Sequence, residues 1–111
     1  MKKTIIALAL GMVGFVPLMA QTNFRHISFE EAVKQAKAEK RLLFVDFYTD
    51  WCGPCRKMAQ EVFPQKKVGD FFNEQFVCIK LNAEKEGKEL AKRYNVKVYP
   101  TFLVIDDNCL L

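Results

Sequence analysis

Apolar residues recur along this chain in two rhythms, one of helices and one of buried strands. Phe29, Ala32, Val33 and Ala36 follow one another at intervals of one, three and four, which predicts an amphipathic helix ending near Glu39. Ser28 and Glu31 frame its start as a capping box, the Ser28 hydroxyl serving the Glu31 backbone while the Glu31 carboxylate reaches back. Leu42 to Tyr48 reads Leu-Leu-Phe-Val-Asp-Phe-Tyr, a nearly unbroken apolar run that predicts a strand covered on both faces at the centre of a sheet. Phe76 to Leu81 forms a second buried strand and Thr101 to Ile105 a third. Between the first two, Met58, Ala59, Val62 and Phe63 keep helical spacing up to Pro64, where a break is expected because proline has no N–H to donate. Val68, Phe71 and Phe72 mark a further helical stretch, and Leu90, Ala91 and Tyr94 share one side of a short helix from Glu86 to Tyr94. Strand, helix and strand with crossovers of this length predict a βαβ unit with a parallel pair.

The N-terminus has a different character. Met1-Lys2-Lys3 leads into an apolar run from Ile5 to Val16 and then Pro17-Leu18-Met19-Ala20, the order of a secretory signal peptide with cleavage after Ala20. The run is about 12 residues against roughly 20 needed to cross a bilayer, and Gly11, Gly14 and Pro17 weaken it as a spanning helix. An uncleaved anchor is the alternative, and no second apolar span follows. Gln21 stands where a lipid-anchored form would need a cysteine. Residues 1–20 are therefore assigned as a signal peptide and 21–111 as one domain, exported and most consistent with a bacterial periplasm. That domain has a formal charge of only +2, with basic and acidic residues interspersed, which argues against nucleic acid as a partner. Half of all residues are hydrophobic and ten are Phe, enough for a core in a short chain.

Candidate chemistry is concentrated in Trp51-Cys52-Gly53-Pro54-Cys55, where the first buried strand gives way to a helix. A Cys-x-x-Cys pair at such a junction beside a βαβ pattern reads as a redox motif. The free N–H groups and partial positive charge of a helix start favour the Cys52 thiolate, making it a better nucleophile and a better leaving group. Cys55, one turn later and facing inward, is within reach of a mixed disulfide on Cys52. Gly53 lets a partner's backbone approach, and Pro54 suits the first turn, where its missing N–H is not needed. A static disulfide is a competing reading, although so short a loop restrains little chain entropy. A structural zinc site would need four ligands, and beyond the pair the chain offers only Cys78, Cys109 and His26, so no metal or other cofactor is assigned. Cys78, inside a strand, is read as a small buried apolar residue, His26 as a surface histidine, and Cys109 has no legible role.

Trp51-Cys52-Gly53-Pro54-Cys55 resembles, residue for residue, the active-site motif of the thioredoxin superfamily. The likeness extends upstream through Val45-Asp46-Phe47 and downstream through Lys80-Leu81-Asn82, and Tyr99-Pro100-Thr101 resembles the family's cis-proline segment. Glu61-Val62-Phe63 with Val68 is similar to the exported thioredoxin-like branch related to the C-terminal domain of transmembrane disulfide reductases. The resemblance implies a thioredoxin-like α/β fold, a three-layer sandwich, and a thiol:disulfide oxidoreductase that reduces protein disulfides. By the same resemblance Cys52 attacks, Cys55 resolves, and Asp46 beneath them assists proton transfer at Cys55 through water. Burial should raise the pKa of Asp46 and Lys80 on the neighbouring strand should partly offset that rise. The competing reading has Asp46 facing a solvated gap and Lys80 reaching to water at a strand end. Trp51, Gly53, Pro54, Tyr99 and Pro100 would form the substrate-binding surface. For Trp51 the alternative is a core tryptophan, and for Tyr99 edge packing.

The pattern departs from the family after Thr101–Ile105, because related domains continue with an antiparallel strand and a C-terminal helix. The third strand should therefore carry an unpaired edge, and the chain reads either as a fragment of a longer protein or as a frame that ended early. Gly53-Pro54 between the cysteines is the dipeptide of reducing thioredoxins. An exported reductant needs electrons passed through the membrane, so a membrane electron donor is the expected partner of a monomer that acts on protein disulfides. The alternatives are an electron-transfer domain of a larger membrane disulfide reductase, a redox-inactive binding module and, in an oxidising compartment, a protein that sits oxidised and acts as an acceptor or isomerase.

Overall fold

The computed structural model describes residues 21–106. The signal-peptide assignment for residues 1–20 and the question of Cys109 lie outside the described residues. The elements are α1 (Phe29–Glu39), β1 (Leu42–Tyr48), α2 (Gly53–Lys57), a π-helical turn (Met58–Val62), α3 (Lys66–Gln75), β2 (Phe76–Asn82), α4 (Lys88–Arg93) and β3 (Thr101–Ile105).

Helix α1 begins as its sequence predicts, with the Ser28 hydroxyl accepting from Glu31 N at 3.1 Å. The second arm of the expected capping box is replaced: the Glu31 carboxylate instead accepts from Gln35 Nε2 at 3.3 Å, one turn further along the helix. Lys40 closes the helix in the left-handed conformation, φ 56°, and Arg41 N donates to Ala36 O at 2.9 Å, so the last carbonyls are satisfied.

The helix after the cysteines changes character before it reaches Pro64. Phe63 N donates five residues back, to Met58 O at 3.0 Å, and the turn Met58–Val62 is π-helical where a uniform helix was expected. Pro64 supplies no N–H and its ring crowds the carbonyl four residues earlier, so the helix widens and then ends. Phe63 is thereby buried against Phe44 and Phe24. The last helix is shorter than expected, starting at Lys88, because Glu86 is engaged as an acceptor from Asn82 N at 2.7 Å.

Strand order is β2-β1-β3, with β1 at the centre as its apolar run predicts. β1 and β2 run parallel, from Leu42 opposite Phe76 to Tyr48 opposite Asn82. β3 runs antiparallel to β1, from Leu43 opposite Ile105 to Phe47 opposite Thr101. β3 therefore enters the sheet at the end at which β2 leaves. Among the described residues its outer edge is unpaired, as expected, and Phe102 and Val104 are exposed there.

Alternation along the strands separates two apolar layers. Leu43, Val45, Phe47, Val77, Ile79, Leu81 and Ile105 point to one face and pack with Phe29, Ala32 and Ala36 of α1 and Ala91 of α4. Phe44 and Cys78 point to the other, where Phe24, Met58, Phe63, Val68, Phe72 and Phe76 form a smaller, mostly aromatic cluster. Each fully buried Phe or Leu contributes about 1.5–3 kcal/mol. By the same alternation Asp46, Tyr48 and Lys80 belong to the second face, the one covered by the helix that follows the cysteines.

Candidate active site

Cys52 is the N-cap residue of α2, in extended conformation, and its Sγ accepts from Cys55 N at 3.1 Å. An N–H directed at this sulfur is what stabilises a thiolate there, in line with the expectation from a helix start. Pro54 occupies the first turn, where it forfeits no hydrogen bond, and Gly53 has no atom within 4 Å of where a Cβ would stand. Cys52 and Cys55 are joined by a disulfide with a Cα separation of 5.3 Å, and both are buried, at 3% and 7% exposure.

Asp46 lies in mid-strand on the same face of the sheet as α2. It is 2% exposed, and its Oδ1 has no hydrogen-bond partner. Loss of water pushes its carboxyl up from 3.8 to about 6, and the positive charge of Lys80 pulls in the opposite direction. The solvated-gap alternative for Asp46 is not what is observed. Lys80 is its register partner on β2, yet no ion pair joins them; the ammonium instead stands 5.3 Å from the Phe24 ring centroid and 5.2 Å from that of Tyr48.

Trp51 is 64% exposed, which excludes the core alternative. Its Nε1 donates to Glu84 Oε2 at 3.0 Å, and its ring meets Tyr99 edge-on with centroids 6.0 Å apart. Tyr99 also packs against the larger core layer. The Tyr99–Pro100 peptide bond is cis, as the resemblance implies. Because Thr101 pairs with Phe47, Pro100 enters at the end of β1 from which the Thr49–Cys52 loop departs.

Residues that sequence reasoning passed over hold this loop. Asn82, buried at the end of β2, donates from Nδ2 to Asp50 Oδ1 at 3.0 Å and accepts at Oδ1 from Glu84 N at 2.9 Å. Lys85 pairs with Asp50 Oδ2 at 2.9 Å, and Arg56 Nη1 donates to Asp50 O at 2.9 Å. The turn after β2 therefore grips both residues that precede Cys52. Gly87 permits this turn, because a Cβ there would stand 2.8 Å from Leu81 Cβ and 2.9 Å from Asn82 O. Charged residues in a Lys/Glu-rich stretch carry no signal of such contacts; only the strand register brings them together. Cys78 is buried, its thiol pushed up to about 12 mainly by loss of water, and lies within the aromatic layer as an apolar residue.

Together, the fold and the site define an α/β protein with a Cys-x-x-Cys disulfide at a strand-to-helix junction and a cis-proline at the same end of the sheet. The family described as Thioredoxin matches residues 20–110, and the chain belongs to the thioredoxin family. Among curated proteins it is 37% identical over 71 residues to the F-type chloroplastic thioredoxin of Brassica napus, covering 64% of this chain and 37% of that protein. It is 35% identical over 71 residues to thioredoxin-1 of Drosophila melanogaster, covering 64% and 63%. The chain thus spans less than two thirds of the length of these relatives. Among solved structures, a protein provisionally described as a disulphide-isomerase from Bacteroides thetaiotaomicron is 48% identical with a TM-score of 0.69, over 78% of this chain and 72% of that one. A thioredoxin from Thermus thermophilus is 30% identical with a TM-score of 0.66, over 78% and 65%.

Proposed function

We propose that the chain is a thiol:disulfide oxidoreductase that reduces protein disulfides, with Cys52 as nucleophile and Cys55 as resolving thiol. The observation that carries this reading is the Cys52–Cys55 disulfide with the Cys55 N–H directed at Cys52 Sγ. In the reduced pair, the Cys52 thiolate attacks one sulfur of the substrate disulfide, forming a mixed disulfide and releasing the first substrate thiolate. Cys55 then loses its proton through a water to the Asp46 carboxylate and attacks Cys52 Sγ. The Cys52–Cys55 disulfide forms, the second substrate thiolate leaves, and two electrons have passed from the pair to the substrate. A carboxyl titrating at about 6 is suited to take and return that proton near neutral pH. Trp51, Tyr99 and Pro100 supply the surface against which the substrate chain lies, Trp51 being the exposed apolar contact.

The direction is reducing. Pro54 stands where an oxidising relative would present a histidine, so less stabilisation of the Cys52 thiolate and a more stable disulfide are expected. The first 20 residues have the order of an export signal, which makes a membrane-borne electron donor the partner that regenerates the dithiol. The test is reduction of insulin by the purified chain with a dithiol present. Cys52→Ser abolishes it, and Cys55→Ser accumulates substrate as a mixed disulfide; turnover by Cys52→Ser would sink the assignment of the nucleophile. Equilibration with glutathione fixes the direction, a potential below about −200 mV supporting the reductant and one near about −120 mV overturning it.

A further inference from the structure

The segment before α1 lies along the outer edge of β2. Thr22 N donates to Phe63 O at 3.0 Å, Arg25 N donates to Cys78 O at 2.9 Å, and Phe24 forms a parallel bridge with Cys78. The Phe24 ring is locked edge-to-face on Phe63, with centroids 4.9 Å apart. So fixed, it faces the Lys80 ammonium at 5.3 Å, and Tyr48 faces the same ammonium at 5.2 Å. Attraction between a cation and a ring face extends to about 6 Å, so two rings hold one charge. Phe24 and Lys80 also share the walls of two cavities, of about 700 Å³ and about 190 Å³, which give water access to this end of the sheet.

We propose that Phe24 is a positioning residue for the thiol chemistry: with Tyr48 it holds the Lys80 ammonium between two rings, where the charge acts on Asp46 through space without contacting it. The proposal rests on the reading of Asp46 as the proton acceptor for Cys55. The titratable groups on this face are Lys80 and the buried Cys78 thiol from β2 and Tyr48 from β1, the cysteine pair being joined in a disulfide that does not titrate; the cavity at Lys80 is also lined by Arg25, Glu30, Glu86, Glu89 and Arg93. β3 presents Phe102 opposite Asp46, and the helices that cover the face present Met58, Phe63 and Phe72. A lysine ammonium is strongly hydrated and sits on a flexible stem. Without the Phe24 ring it moves out to water, where its pull on the Asp46 carboxylate weakens, and Asp46 then titrates higher.

The experiment follows the Asp46 carboxyl carbon by NMR in the oxidised full chain, titrated from about pH 4 to pH 9. Phe24→Leu is expected to raise the Asp46 midpoint by roughly half of what Lys80→Met does, since one of two rings is lost. Phe24→Tyr, which restores a ring face, should titrate like the unaltered protein. Adding Phe24→Leu to Lys80→Met should change nothing further, because the ring acts only through the ammonium. An Asp46 midpoint unmoved by Phe24→Leu overturns the proposal. So does an equal rise in the Lys80→Met background, which assigns the effect to packing. Should Phe24→Leu not fold, Phe24→Met is held to the same outcomes. The titration needs neither substrate nor turnover. A chain that reduces insulin but whose Asp46 ignores Phe24 refutes the positioning role alone, whereas one inactive on insulin refutes the proposed function.

Discussion

Replacing Asp46 by asparagine should shift stability in favour of the variant as pH rises. The carboxyl is raised from 3.8 to about 6 in the fold, chiefly by burial. Its raised folded-state value means that stability is fully present below the unfolded pKa and is lost as pH rises through the folded one. At 1.36 kcal/mol per pH unit, the full loss is about 3 kcal/mol above pH 7. Between pH 4 and pH 8 the change is about 2.5 kcal/mol, because the unfolded carboxyl is already half ionised at pH 4. An amide does not ionise, so Asp46→Asn escapes this loss while keeping nearly the same shape. Its own unsatisfied N–H groups cost about 1–3 kcal/mol at every pH alike. The quantity to measure is therefore the difference between the two proteins in urea unfolding, at pH 4, 6 and 8, with the disulfide intact. The difference should move in favour of the variant by about 2.5 kcal/mol from pH 4 to pH 8, most steeply below pH 6. A difference that stays flat across that range would refute the raised titration of Asp46, and with it the role of this carboxyl as a base near neutral pH.

Three further outcomes are expected. Glu84→Ala frees the Trp51 indole from its 3.0 Å hydrogen bond, and should raise KM for insulin about fivefold with kcat little changed, as loss of about 1 kcal/mol of surface order implies; an unchanged KM would count against Trp51 as a substrate contact. Gly87→Ala brings a Cβ to 2.8 Å from Leu81 Cβ and 2.9 Å from Asn82 O, and should cost about 1–3 kcal/mol in chemical unfolding, which a wild-type midpoint would contradict. Cys78, buried and with its thiol pushed up to about 12, should escape iodoacetamide at pH 8 in the reduced native protein and react in urea, as peptide mass spectrometry would record.

Much of this protein is written locally. Helix α1 and its Ser28 cap, the centrality of β1 and the end of the second helix at Pro64 all follow from spacing, capping and the missing proline donor, which act over a few residues. The cysteine pair is equally legible, because two thiols three residues apart at a strand-to-helix junction need no distant partner to meet. Asp46 could be flagged only as a carboxylate out of place in an apolar run. What remained for the tertiary structure was decided by contacts between segments far apart in sequence. The direction of β3 is set by its antiparallel pairing with β1, from Leu43 opposite Ile105 to Phe47 opposite Thr101. Trp51 found Glu84, Asp50 found Asn82 and Lys85, and Lys80 found Phe24 rather than Asp46, because strand register and the docking of residues 22–25 set those distances. A charged side chain on a long stem has many partners within reach in the unfolded chain. Only the packed sheet selects one.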